Sequence, residues 1–330
     1  MKKLMSGNAA AGEAAVLAGC TCYFGYPITP QNELTEYMAK RVPEAGGVFI
    51  QSESEIAAIN MVLGASVAGA RAMTSSSGPG ISLKQEGISY LAADELPAVI
   101  LNMVRGGPGM GNISPAQSDY LQATRGGGHG DYRTIVLAPS SVQEIADLMP
   151  LAFDLAEKYR NPVVVLGDGM LGQMMEPVEF DHIKKPEPVA KDYILTGAKG
   201  RPSRMVRSLI FDVKEQEEHN WKLARKFQRI EQNEVRYETH LVDDAELVVI
   251  AYGTAARIAK GAIARLRQEG LKVGMIRPIT LWPFPTKIIQ ETSKTIHDFF
   301  VFEMSAGQLV EDVKLSLEGK GRVHFYGRPG

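Results

Sequence analysis

Short apolar runs recur along this chain, each followed by a loop of small or polar residues and then by a segment with helical spacing. The runs at 22–24, 47–50, 98–103, 134–137 and 162–166 read as buried strands. Strand, loop and helix repeating in this way argue for a parallel sheet with helices on both faces, a doubly wound α/β architecture. In such a sheet the loops that leave the carboxyl ends of the strands converge on one edge, and ligands bind there.

Three of these loops hold the candidate site. One is Gly25-Tyr26-Pro27-Ile28-Thr29-Pro30-Gln31, and another runs from Met103 through Arg105 to Asn112. Between them lies the stretch 49–64, where Ile56, Ile59, Val62 and Leu63 fall at helical spacing. Ser52 or Ser54 can cap that helix, and Glu53 and Glu55 lie at its first turn, where the dipole favours an anion. Alone, such a carboxylate is an ordinary helix start. Read beside the other two loops, Glu55 becomes a candidate for chemistry.

In chain order, residues 7–19 form an Ala-rich helix with small residues for close packing, ended by Gly19. Helices over 31–40, 55–69, 81–92 and 141–159 alternate with the strands. Residues 105–131 interrupt the rhythm: they are rich in glycine and proline and read as a long loop with room for one short helix. Loops of that length in compact domains are functional or disordered. Its polar candidates are Arg105, Asn112, Gln117, Asp119, Arg125, His129 and Asp131. Residues 1–172 thus form one domain. Residues 173–243 read as a connector, with Pro177, Pro186, Pro188 and Pro202 and a solvated charged helix over 214–238. Strands at 247–252, 271–276, 298–302 and 323–325, with helices over 255–269, 285–292 and 307–318, make a second, smaller domain, 244–330. The last residues, 326–330, read as a turn, with room for a short tail beyond.

Lys plus Arg is 36 against 38 Asp plus Glu, so nothing points to nucleic acid. No apolar run approaches the ~20 residues that span a bilayer, and the N-terminus lacks a signal-peptide core. A cytoplasmic protein is expected, with no membrane contact. Cys20 and Cys22 are too close for an unstrained disulfide, and two thiolates hold neither an iron–sulfur cluster nor a closed zinc site. They read as buried thiols; no metal is expected on this chain, and any cluster belongs to a partner. Gly167-x-Gly169-x-x-Gly172 matches a dinucleotide fingerprint, but Pro177 follows too soon for a helix to open on it. The same Gly167-Asp168-Gly169 mimics a magnesium–diphosphate motif, yet no asparagine lies between Asn161 and Asn220 to complete it. Gly107-x-Gly109-x-Gly111 lacks the Lys-Ser/Thr of a P-loop, and His129 has no partner at ligand spacing.

Tyr26-Pro27-Ile28-Thr29-Pro30, the segment 51–60, Thr74-Ser75-Ser76-Ser77-Gly78-Pro79-Gly80 and Arg105 stand in an order and at distances that resemble the α chain of the 2-oxoacid:ferredoxin oxidoreductases. The likeness covers essentially the whole chain. It implies a pyrimidine-binding domain for thiamine diphosphate followed by a domain like the transketolase C-terminal one. Residues 78–86, Gln117-Ser118-Asp119 and 126–131 are most similar to the 2-oxoisovalerate (branched-chain) subgroup, and the 2-oxoglutarate subgroup is next.

The resemblance implies roles residue by residue. Glu55, with Glu53 as the fallback, matches the glutamate that hydrogen-bonds the cofactor pyrimidine N1′ and favours the tautomer that activates the thiazolium, which is acid–base work by a positioned carboxyl. Thr29 and Arg105 match substrate contacts, the guanidinium suiting the substrate carboxylate. Pro27 lines the cofactor pocket. The implied reaction is oxidative decarboxylation of a 2-oxoacid to acyl-coenzyme A and carbon dioxide, reducing ferredoxin. A β chain would supply diphosphate, magnesium and a 4Fe–4S cluster, and small γ and ferredoxin-like δ subunits would carry electrons, so this chain alone is expected to be inactive. The alternatives are a 2-oxoglutarate enzyme, an indolepyruvate-type or transketolase-like chain, and a non-catalytic scaffold whose Glu55 merely caps a helix.

Overall fold

The apolar runs fold into two main sheets. The computed structural model describes residues 2–184, 186 and 191–330; Pro188 of the expected connector lies outside them. The first part comprises β1 (Lys3–Ser6), α1 (Gly7–Leu17), β2 (Cys22–Gly25), α2 (Asn32–Glu44), β3 (Val48–Gln51), α3 (Glu55–Val67), β4 (Ala72–Ser76), α4 (Pro79–Ala93), β5 (Ala98–Val104), α5 (Tyr120–Arg125), β6 (Ile135–Leu137), α6 (Val142–Tyr159) and β7 (Pro162–Asp168). Then come α7 (Gly169–Gln173), β8 (Met175–Val178), α8 (Val213–Asn233) and β9 (Tyr237–His240). The rest is β10 (Leu247–Ile250), α9 (Gly253–Gln268), β11 (Val273–Pro278), β12 (Thr280–Trp282), α10 (Thr286–Thr292), β13 (Asp298–Glu303), α11 (Leu309–Leu317) and β14 (Arg322–Gly327).

The larger sheet has the order β12-β6-β7-β5-β4-β2-β3, and the smaller β14-β13-β10-β11-β9. Every residue of β5 and β7 is buried, as central strands covered on both faces require. The apolar core is continuous from α1, whose Ala10, Ala11, Ala14 and Ala15 are fully buried, to strand residues Val248 and Phe299 of the smaller sheet. Both sheets are parallel except at one edge strand each: β12 pairs antiparallel with β6, and β9 with β11. A separate two-stranded ribbon joins β1 to β8.

Three details depart from the expectations. A helix does open after the Gly-Asp-Gly turn: Asp168 caps α7, its carboxylate accepting from Met170 N at 3.0 Å and Leu171 N at 3.1 Å. The amides that a dinucleotide phosphate would need are thus taken by the protein's own carboxylate, and Pro30 packs where a side chain at Gly169 would begin, 3.0 Å away. Second, β9 lies in the stretch read as connector yet forms the edge of the smaller sheet, while β12 returns to the larger one. Third, β14 continues to Gly327, paired with Glu303, where turn residues were expected.

The strand order sets the location of the site. From β2 the chain crosses to β3 on one side, then returns past β2 to β4 and β5 on the other. The loops after β2 and β4 therefore diverge, which opens a crevice at this topological switch point.

Candidate active site

Glu55 stands at that crevice because of how α3 begins. Ser54 is extended, and its hydroxyl accepts from Ala57 N at 3.2 Å, so Glu55 is the first helical residue. Glu55 is 6% exposed while Glu53, two residues earlier, is exposed. Among the described residues nothing donates a hydrogen bond to the Glu55 carboxylate. Gly80, in the first turn of α4, is forced: a Cβ there would lie 2.6 Å from Glu55 Oε1 and 2.2 Å from Ser76 Oγ. The carboxyl thus lies at the amino ends of two helices, and α4 has no side-chain cap because its cap residue is Gly78, at φ +46°.

Arg105 follows β5 and is 8% exposed. Its Nη1 donates to the Thr29 carbonyl and its Nη2 to the Met110 carbonyl, each at 2.9 Å, while Nε has no partner among the described residues. A Cβ on Gly78 would sit 3.4 Å from that Nε. So the 78–80 turn touches Arg105 at one end and Glu55 at the other. The Thr29 hydroxyl accepts from Asn32 Nδ2 at 3.4 Å, which leaves its own hydrogen free to donate. The loop that carries Thr29 is fixed from behind: the Pro30 carbonyl accepts from Asn8 Nδ2 at 2.9 Å and Gln173 Nε2 at 3.1 Å, and Gln31 Oε1 accepts from the Ser75 hydroxyl at 2.5 Å. Pro27 and Tyr26 are exposed on the same loop. Beside them the buried hydroxyls of Thr74, Ser76 and Ser77 have no partner among the described residues.

Thr29, Glu55 and Arg105 therefore share one edge of the sheet. Other polar candidates do not. Gln117 binds the smaller-sheet part, donating to the Tyr252 carbonyl and accepting from Met304 N, both at 2.9 Å. Arg125 pairs with Asp312, and Asn112 closes a turn onto Ser114 N at 2.7 Å. Asn102 Nδ2 donates to Asp119 at 2.9 Å, and burial raises that carboxyl's pKa. His129 and Asp131 are exposed. The sequence reading passed over Lys84, a fully buried lysine whose Nζ donates to the Glu55 carbonyl at 3.3 Å. Burial lowers its pKa to about 8, against the attraction of Glu55.

The fold is a doubly wound sheet that carries a buried carboxyl, with no donor among the described residues, at its switch point. Residues 13–242 match the family described as "Pyruvate flavodoxin/ferredoxin oxidoreductase, thiamine diP-bdg", and residues 245–330 match "Pyruvate:ferredoxin oxidoreductase core domain II". The chain belongs to this family, as a subunit of a multi-subunit 2-oxoacid:ferredoxin oxidoreductase. It is 52% identical over 314 residues to the ketoisovalerate oxidoreductase subunit VorB of Methanothermobacter thermautotrophicus, covering 95% of this chain and 89% of that one. It is 40% identical over 316 residues to the 2-oxoglutarate synthase subunit KorA of Archaeoglobus fulgidus, covering 94% and 90%. Among solved structures it superposes on a 2-oxoglutarate:ferredoxin oxidoreductase from Magnetococcus marinus with a TM-score of 0.86 and 29% identity. That match covers all of this chain and 62% of the other, which was solved with 2-oxoglutarate, coenzyme A and succinyl-CoA bound. A split-gene transketolase, at 15% identity and TM-score 0.59, shares the fold.

The residues present fit the pyrimidine end of thiamine diphosphate. A buried carboxyl with no donor among the described residues, beside the Ser76 hydroxyl that likewise has no partner there, offers the acceptor that a protonated ring nitrogen needs.

No described helix is long and apolar enough to cross a membrane.

Proposed function

We propose that this chain is the α subunit of a cytoplasmic, coenzyme A-acylating oxidoreductase that decarboxylates 2-oxoisovalerate and passes its electrons to ferredoxin. The observation that carries this reading is the 52% identity to a ketoisovalerate oxidoreductase subunit across 95% of the chain. The loops after β2, β3 and β4 support it: residues 25–31, 51–54 and 77–78 contain no lysine or arginine. What this chain brings to a substrate is thus the single guanidinium of Arg105, which suits one carboxylate rather than the two of 2-oxoglutarate.

When bound, thiamine diphosphate supplies the nucleophile and the electron sink for loss of carbon dioxide. Glu55 accepts a hydrogen bond from the pyrimidine N1′ and holds or yields the proton at that atom, with Pro27 walling the pocket. Arg105 keeps Nε and one hydrogen on each Nη free for the substrate carboxylate. Thr29 donates its hydroxyl hydrogen to the substrate. The two loops are oriented together, because Arg105 is itself bonded to the Thr29 carbonyl. A β subunit provides the diphosphate and magnesium grip and a 4Fe–4S cluster, and γ and δ subunits relay electrons to ferredoxin. In this organisation residues 1–172 bind pyrimidine, 173–243 connect and give β9 to the smaller sheet, and 244–330 serve assembly and shape the coenzyme A approach.

The test is reduction of ferredoxin by the complex co-expressed with its partner subunits, with coenzyme A and either 2-oxoisovalerate or 2-oxoglutarate. A higher kcat/KM for 2-oxoisovalerate that Glu55→Gln abolishes in an intact complex is the expected result. Preference for 2-oxoglutarate replaces the substrate, and full activity of Glu55→Gln leaves Glu55 a helix cap.

A further inference from the structure

Lys84 is a charged group beside the site to which the proposed chemistry gives no task. It sits on α4 with no exposed surface, and one of its three ammonium hydrogens reaches the Glu55 carbonyl at 3.3 Å. A buried ammonium with a single hydrogen bond is costly, and a methionine of the same length would fill the space without that cost. The cation is therefore a cost to the fold rather than a support. It cannot reach solvent, so it is not a surface lysine with a buried stem.

The charged and titratable groups around it are few. From α3 comes Glu55, with Glu53 exposed just before the helix. From β7, which also packs on α4, comes Asp168, whose carboxylate caps α7. The loop 126–132 lies against α4 and brings Tyr132, hydrogen-bonded to Gln85, with His129 and Asp131 exposed. Arg105 lies against Gly78 at the start of α4. On α4 itself Glu86 is exposed and bonded to Tyr90. Of these, Glu55 is the charge that supports the Lys84 ammonium against burial.

We propose that Lys84 is a positioning residue for Glu55: its buried ammonium ties the first turn of α3 to α4 and sets the field in which the Glu55 carboxyl meets the cofactor pyrimidine. This rests on the role given to Glu55 above. The consequence concerns one proton. A cation beside the carboxyl favours passing the proton on to N1′, and removing it weakens that bias. The effect is read in the pH profile of the site.

The experiment follows exchange of the C2 proton of bound thiamine diphosphate for deuterium, by quenched-flow NMR, in the assembled complex across pH. It needs no turnover. Lys84→Met is expected to slow exchange about ten-fold near neutrality and to move the acid limb up by about one pH unit, with no loss of thermal stability. Lys84→Gln, which keeps a donor for the Glu55 carbonyl but no charge, is expected to shift the limb equally and covers the case in which the methionine variant does not assemble. A profile superimposable on wild type overturns the proposal and leaves Lys84 a packing pin. Glu55→Gln run in parallel separates the two readings. If it exchanges like wild type, the role of Glu55 itself fails; if it is silent while Lys84→Met is unshifted, only the role of Lys84 does.

Discussion

Arg105 donates to the Thr29 carbonyl at 2.9 Å, tying together residues 76 positions apart on loops that leave different strands. The same guanidinium holds the Met110 carbonyl and keeps Nε unpaired. One side chain thus both presents a charge and fixes the two loops that frame it. Arg105→Met removes both functions, and KM for the 2-oxoacid is expected to rise about 100-fold, the loss of ~2–3 kcal/mol of charge-assisted hydrogen bonding. Arg105→Lys keeps the charge but cannot span two carbonyls, and is expected to fall between. Steady-state kinetics of the assembled complex on both variants checks the order.

Gly80 and Gly64 make a contrasting pair. A methyl group on Gly80 would lie 2.6 Å from Glu55 Oε1, so Gly80→Ala displaces the carboxyl. Activity is expected to fall at least ~10-fold, with a stability cost of about 1–3 kcal/mol. Gly64 is exposed inside α3, with nothing within 4 Å of its Cβ position. Gly64→Ala is expected to stabilise by about 0.5–1 kcal/mol and leave turnover unchanged. Melting curves and ferredoxin reduction on the two variants give the comparison; a loss of activity in Gly64→Ala would mean that α3 has to flex.

Much of this was legible in the residues, for identifiable reasons. The strands of the larger sheet are buried on both faces, so their apolar runs are unbroken, and the helix after Ser54 carries its own start signal. Glu53 and Glu55 were harder to separate, because spacing alone allowed either. In the structure Ser54 caps the helix, and Glu55 is buried while Glu53 is exposed. Lys84 was hidden by its type, since a lysine on a helix reads as solvated. Yet Ile81, Lys84, Gln85, Ile88, Leu91 and Ala92 are all buried, and that i, i+3, i+4, i+7 spacing does place Lys84 on the inner face. The edge strands were the least legible. β12 has three residues, and β9 pairs through Tyr237-Glu238-Thr239-His240 in a polar stretch, so both are specified by partners far away in sequence.

Gln117 was read as a loop residue with chemistry in prospect and proves to be a bridge. Its side chain serves both the Tyr252 carbonyl and Met304 N, and its own amide donates to the Met304 carbonyl at 2.7 Å. Gln117→Leu keeps the volume but leaves Met304 N unpaired and the Tyr252 carbonyl with Ala256 N alone, at 3.1 Å, at a cost of about 1–3 kcal/mol. The expected outcome is a lower thermal midpoint, with increased hydrogen exchange at 252–254 and 304–310. Glu55 and Arg105 lie elsewhere, so KM for the 2-oxoacid is expected to hold within about two-fold in the surviving complex.

The buried ammonium of Lys84 also leaves a mark on stability, of unusual sign. Burial lowers its pKa in the folded chain to about 8, below the 10.5 of a free lysine side chain. Below pH 8 both states carry the proton, and the folded state bears the cost of the buried charge. Between pH 8 and 10.5 the folded chain releases the proton while the unfolded chain keeps it, so this group makes stability rise with pH. Most lysines, held by a partner carboxylate, act in the opposite direction. Lys84→Met is therefore expected to be more stable than wild type at pH 7 by on the order of 3 kcal/mol, and the gap to close as pH approaches 10.5. Thermal midpoints of the two proteins, read in parallel from pH 6.5 to 10, test this. A constant difference across that range would mean that Lys84 does not titrate in the folded chain, and a lower midpoint for the variant at pH 7 would mean that its single hydrogen bond to the Glu55 carbonyl outweighs the burial of its charge.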